Sequence, residues 1–179
     1  MYASSLAVPA LLIALLHADS PAADPPPLDE HLEPLRPWID KTFRGEFAGS
    51  TPEKQQVDVS RWERALNGRA IRVLHSINDG AYGGESLIFW DSDANRIAFH
   101  YFTTAGFRTT GFITVEGRKL TSHEKVSGNA GGATEVRATI ELGPDGTMTS
   151  KAELLKDGKW VPGHEIRYRE DPKAEVKFR

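Results

Sequence analysis

From Phe43 onward, apolar and polar positions alternate in short runs. The clearest is "TEVRATIEL", where Val136, Ala138, Ile140 and Leu142 fall on one side and Glu135, Arg137 and Glu141 on the other. A two-residue period is the mark of a half-buried strand. Comparable runs are "QVDVSRWERAL", "AIRVLHSI", "ESLIFW", "RIAFHYFTT", "FRTTGFITV", "KLTSHEKV", "TMTSKAELL" and "WVPGHEIRYR", with one more near Phe43–Phe47, about ten in all. Turn signals separate them, among them Asn67-Gly68, Asn78-Asp79-Gly80, Glu116-Gly117, Pro144-Asp145-Gly146 and Asp157-Gly158. These residues tolerate the positive φ of tight hairpins, and connections this short require antiparallel neighbours. No segment after residue 42 combines helical length with helical period.

An antiparallel meander has two exposed edges unless it closes, and exposed edges invite aggregation. The predicted fold is therefore all-β: a closed antiparallel up-and-down β-barrel of about ten strands with a short N-terminal helix, occupying 32–171. A β-sandwich is the alternative. The helix is read from "HLEPLRPWIDKTF", where Leu32, Leu35, Trp38 and Ile39 recur at helical spacing. Pro34 suits a first-turn position and Pro37 limits the helix to a turn or two. Its apolar face is expected to cap one end of the barrel, with Trp38 as the plug. In "AFHYFTTAGFRTTGFITVEG", Phe99, Tyr101 and Thr103 share a face, with His100 and Phe102 opposite. On the next strand Phe107, Thr109, Gly111, Ile113 and Val115 share a face, with Phe112 opposite. Large rings on one strand need small neighbours such as Gly111, because a barrel interior has limited width.

The first residues follow another pattern. "LAVPALLIALL" (Leu6 to Leu16) is an apolar run too short to span a bilayer, which takes about 20 residues. Small residues follow it. Residues 1–22 are read as a secretory signal peptide cleaved after Ala22, with Ala18 as the next choice, although no Lys or Arg precedes the run. A Pro-rich linker then covers 23–31, and a C-terminal tail covers 172–179. The expected location is secreted or periplasmic. Composition supports one domain: 179 residues, 39% hydrophobic and 26% charged. A net charge of -3 gives no basic field for nucleic acid, so no such partner is expected. Cysteine is absent, which excludes disulfides, thiolate chemistry and a lipid-modified cysteine anchor, so no stable membrane anchor is expected.

The stretches "LEPLRPWIDKTFRGEF", "VSRWERALNGRAIRV", "GGESLIFWDSDANRIAFHYFTTAGFRTTGFITVEG" and "LLKDGKWVPGHEIRYRE", spread over Leu32 to Glu170, resemble a large bacterial family of uncharacterised proteins. That family is similar to the calycins, the group of lipocalins, fatty-acid-binding proteins and nitrobindins. The resemblance implies a barrel with a capped end and a shape suited to small molecules; it names no ligand. In the nitrobindin branch a histidine on a late strand binds haem, and the chain begins with a Gly-x-Trp-x-Gly stretch. The matching segment here is "KTFRGEF", with Phe43 and a single Gly45.

Candidate chemistry is sparse. His75, His100, His123 and His164 lie on four different predicted strands; converging, they would ligate a metal or haem iron. There is no His-Glu-x-x-His pattern, and no metal is assigned. His164, on the last strong strand, is the haem candidate, and otherwise no cofactor is expected. In "VDVSRWERAL", Arg61 or Arg64 would project into the lumen and grip a carboxylate head group with its two-pronged guanidinium. The fatty-acid-binding branch uses arginine in that way, and Arg61 is the candidate contact. Trp62, Trp90, Phe99, Tyr101, Phe107 and Phe112 are candidate walls, although opposite parity keeps Phe107 and Phe112 from both facing inward. Trp160, after the "KDGKW" turn, is expected to pack under the hairpin. The glycine clusters "GAYGGES" and "SGNAGGATE" precede strands and not helices, so they read as flexible loops and not phosphate loops, with one of them a candidate to gate a barrel mouth. Glu46, Glu85, Glu124 and Glu165 read as solvated strand positions, and no Gly-x-Ser-x-Gly elbow exists. The leading reading is an exported lipocalin-like protein that binds a small apolar or amphipathic molecule in its lumen, with no catalytic residue assigned. The alternatives are a haem-binding or other barrel enzyme using lumenal histidine, and a solid barrel serving as a structural or interaction module.

Overall fold

The computed structural model describes residues 26–179, so the expected signal peptide and cleavage point lie outside the described residues. Ten strands follow one another: β1 (Lys41–Phe47), β2 (Val57–Ala65), β3 (Ala70–Ile77), β4 (Tyr82–Asp91), β5 (Arg96–Thr103), β6 (Arg108–Glu116), β7 (Lys119–Ser127), β8 (Ala133–Leu142), β9 (Met148–Lys156) and β10 (Lys159–Glu170). Each pairs antiparallel with the next, and β1 closes the ring against β10, with Phe43 opposite Glu170 and Phe47 opposite Ile166. Closure pairs both edges of the meander, as the strand pattern demanded.

The chain reaches the barrel across one end. A 3-10 helix, Glu30–Leu35, starts at Asp29, whose carboxylate accepts the His31 backbone N–H at 3.1 Å. Pro34 is the fifth residue of this helix and not a first-turn residue; the flanking bonds run from Leu32 and Arg36 to Asp29 and Glu33, so its missing N–H disturbs neither. Leu32, Leu35 and Trp38 are fully buried, and Leu28 nearly so, which places the start of the packed unit ahead of the expected boundary at 32. The segment before the helix is pinned by the Asp29 N–H donating to the Gly68 carbonyl at 2.9 Å. Gly68 has φ +83° and lies directly under the Pro27 carbonyl, so a side chain there is excluded twice. Beneath the helix the lumen is filled by Phe43, Trp62, Ile71, Ile88, Leu120, Leu142 and Met148. The rings of Trp38 and Trp62 lie 6.3 Å apart.

At the other end the 172–179 segment turns back over the outside. The Lys177 backbone N–H donates to Ser76 Oγ at 3.0 Å, and Lys177 Nζ to Asp79 Oδ1 at 2.9 Å. β10 carries a bulge between Pro162 and Glu165. The bulge shifts parity: Trp160 faces outward, beneath the Arg137 guanidinium at 4.4 Å, while His164 faces inward. Trp160 therefore packs on the outer face, against the Arg137 side chain of β8.

Candidate functional site

A cavity of about 340 Å³ runs from the floor at Trp62, Ile88 and Met148 to the mouth at Phe47, Phe107, Leu154 and His164. The wall contributed by β8 and β9 is mostly aliphatic, with Val136, Ala138, Ile140, Ala152 and Leu154. A second recess of about 1230 Å³ shares His164 and Phe47 and extends over the outer flank at Arg137, Glu153 and Trp160.

Across the lumen from that wall, five strands bring polar groups together. As a carboxylate, Asp58 can only accept. His75 Nδ1–H donates to its Oδ1 at 2.8 Å, and the Tyr168 hydroxyl to its Oδ2 at 2.9 Å. In that tautomer His75 Nε2 accepts from the Tyr101 hydroxyl at 2.7 Å. The Tyr82 hydroxyl lies 3.0 Å from that of Tyr101 and completes the chain by donating to it. Burial pushes the phenol pKa up for Tyr82, Tyr101 and Tyr168, with the Asp58 charge adding to the effect, so all three remain protonated donors.

Glycines make room for this chain. A Cβ at Gly45 would collide with the Tyr168 ring, and one at Gly84 with the Tyr101 ring. Both rings lie flat on the wall, and their hydroxyls thereby reach Asp58 and His75. At Gly111 the close neighbour is different: a Cβ there would strike the backbone of β7 at His123 and Glu124. That glycine permits close strand approach and does not make room for a ring.

Glu124 is the second lumenal carboxyl. Its Oε2 accepts from Thr109 Oγ1 at 2.5 Å and its Oε1 from Ser122 Oγ at 3.2 Å. Burial pushes its pKa above the ordinary carboxylate value, against the two hydroxyl bonds. His164 stands at the rim, ringed by protein yet open to solvent through the mouth. That crowding lowers its pKa from the usual histidine value, with the Asp58 charge opposing.

Of the residues singled out by sequence, Trp62, Phe99, Tyr101, Phe107 and His164 line the cavity. Arg61 does not: its side chain is 57% exposed and pairs with Glu63 at 2.7 Å on the outer surface, because β2 turns Asp58, Ser60 and Trp62 inward. Arg64 is held at the capped end by the Pro26 carbonyl at 3.3 Å. Trp90 stacks on His31 at 3.9 Å beside the helix and lines no part of the cavity. Phe112 lies outside, with the Arg96 guanidinium 4.2 Å above its ring. His100 packs between Phe89 and Phe102 on the outer face, and His123 bonds Glu135 there at 2.6 Å. The four histidines therefore do not converge, and no group of three or more metal-ligating side chains occurs among the described residues. Sequence reasoning missed Asp58, Tyr82 and Tyr168 and treated Glu124 as solvated. The signal available was parity, since Asp58 shares a face with Trp62, and Glu124 with Leu120.

Fold and cavity together define a hollow antiparallel barrel plugged at one end. No protein-family profile matches the chain, and no curated protein sequence matches it significantly. Among solved structures it is similar to the crystal structure of Rv2717c from M. tuberculosis, with a TM-score of 0.61 and 10% identity over 81% of this chain and 99% of that one. At that identity the likeness is one of fold alone.

Proposed function

We propose that this protein binds a small amphipathic molecule in the barrel lumen, entering by the mouth with its apolar part against β8 and β9. The observation that carries this is the 340 Å³ cavity, in which aliphatic and aromatic walls meet a fixed belt of hydroxyls, imidazoles and carboxyls. Small-molecule sites commonly occupy about 300–1,000 Å³ and are mostly apolar with a few placed polar groups. The resemblance to calycins supports the same reading. Titration with N-phenyl-1-naphthylamine tests it: one saturable site is expected, lost in Ala152→Phe, which fills the lumen. Saturable binding that survives the filled lumen overturns it. Export belongs to the same proposal and rests on the Leu6–Leu16 run. Protein recovered from cells should begin at Ala23, and retention of the first 22 residues overturns that part.

A second reading, acid–base catalysis, is favoured by the Tyr101–His75–Asp58 chain, in which a carboxylate orients an imidazole that meets a phenolic proton. A ligand extracted from the lumen that is returned unchanged after incubation with the intact protein disposes of this reading.

A further inference from the structure

The two lumenal carboxyls are not equally answered. Asp58 is met by an imidazole and a phenol; Glu124 is met only by the hydroxyls of Thr109 and Ser122. A carboxylate withdrawn from water is expensive unless a cation or several strong donors compensate it. No Lys or Arg is among the described residues that line the cavity, and residues 1–25 contain neither. His123, next in sequence, points to the outside, where it bonds Glu135.

The surroundings of Glu124 suit one kind of group. Thr109 and Ser122 spend their protons on the carboxylate, so their oxygens retain lone pairs that accept. Together with the carboxylate they present acceptors clustered at one point, which matches the three donors of an ammonium. The aromatic faces of Tyr101 and Phe107 line the same cavity, and ring faces attract cations. Directly across from Glu124 on β8 is Val136, with Ala138 across from Ser122, so an apolar body attached to such a group would meet the aliphatic wall. An anionic head group would instead face Asp58 and Glu124 with no guanidinium nearby, since Arg61 lies outside.

Resting on the binding role proposed above, we propose that the ligand is a protonated aliphatic amine with an apolar body, its ammonium seated on Glu124, Thr109 and Ser122. The test uses the full mature chain and three probes of equal length: octylamine, octanol and octanoate, each displacing N-phenyl-1-naphthylamine. Octylamine is expected to bind about tenfold more tightly than octanol, as a charge-assisted contact would give, with octanoate weakest. Glu124→Gln should remove the preference for amine over alcohol, by weakening octylamine about tenfold. Thr109→Val, which keeps the carboxylate, should weaken octylamine by a smaller factor. Octanoate binding as tightly as octylamine, or an amine preference that survives Glu124→Gln, overturns the inference and leaves lumenal binding standing. Failure of all three probes and of the naphthylamine to bind removes the binding role itself, and the amine assignment with it.

Discussion

Read from the plugged end to the mouth, the inward positions of β2 are Trp62, Ser60 and Asp58, and those of β7 are Leu120, Ser122 and Glu124. β3 offers Ile71, Val73 and His75; β5 offers Ile97, Phe99 and Tyr101. The same strands are thus apolar at one end and polar at the other. At the plugged end Trp38, Leu32 and Leu35 are fully buried. Towards the mouth Asp58, His75, Tyr101 and Glu124 are tied by hydrogen bonds around the cavity. Apolar packing is thus concentrated at one end of the barrel axis, and the polar lining of the cavity at the other. Apolar burial at the floor stabilises the fold and offsets the cost of the partly desolvated polar groups above it.

The division can be broken at several points. Trp38→Ala removes the plug from a fully buried site and should cost about 3–5 kcal/mol in urea unfolding. A loss below about 1 kcal/mol would mean that the end is not packed as described. Asp58→Ala leaves the Tyr168 hydroxyl and His75 Nδ1 without their acceptor and should cost about 2–3 kcal/mol. An unchanged midpoint would show that the polar belt contributes nothing to folding. Gly84→Ala drives a methyl group into the Tyr101 ring and the Phe102 carbonyl, for about 1–3 kcal/mol, and should shift the Tyr101 resonances more than those of Trp38.

Glu124 gives the smallest effect and the only one that should stabilise. Its folded-state pKa is raised above the ordinary value of 4.5, so the folded protein keeps a proton that the unfolded chain has already released. Stability contributed by this group is therefore greatest at or below the unfolded pKa and falls as pH rises through the raised folded value. Glu124→Gln should accordingly be more stable than the wild type by about 1 kcal/mol near neutrality, with the gain vanishing towards pH 4.5. Unfolding midpoints measured across that interval check the sign. A variant destabilised at neutral pH and unaffected in acid would show that the carboxylate is compensated within the chain.

Much of the architecture was legible because its cause is local. Val136, Ala138, Ile140 and Leu142 alternate with charged residues, and β8 turns that face inward. Hairpin signals such as Asp157-Gly158 fall where β9 meets β10. The site was less legible because local patterning is ambiguous there. In β2, Val57 and Val59 form one face and Asp58, Ser60 and Trp62 the other, so hydrophobicity alone favours neither. Packing of Trp62 against Trp38 settles the matter and carries Asp58 into the lumen; Val57 and Val59 are left outside, beside the C-terminal tail. The bulge in β10 likewise sends Trp160 and His164 to opposite faces, although simple alternation would place them together.

The alternation of side chains and the turn residues by themselves determined an antiparallel meander of about ten strands with a short helical plug, since both act between neighbours in the chain. Only the closed tertiary structure decided which faces became the interior and brought Asp58 to Tyr168 across 110 positions of sequence. Such a meeting depends on how far each strand is rotated about the barrel axis. That rotation is set jointly by all ten registers and the bulges, and no single segment encodes it.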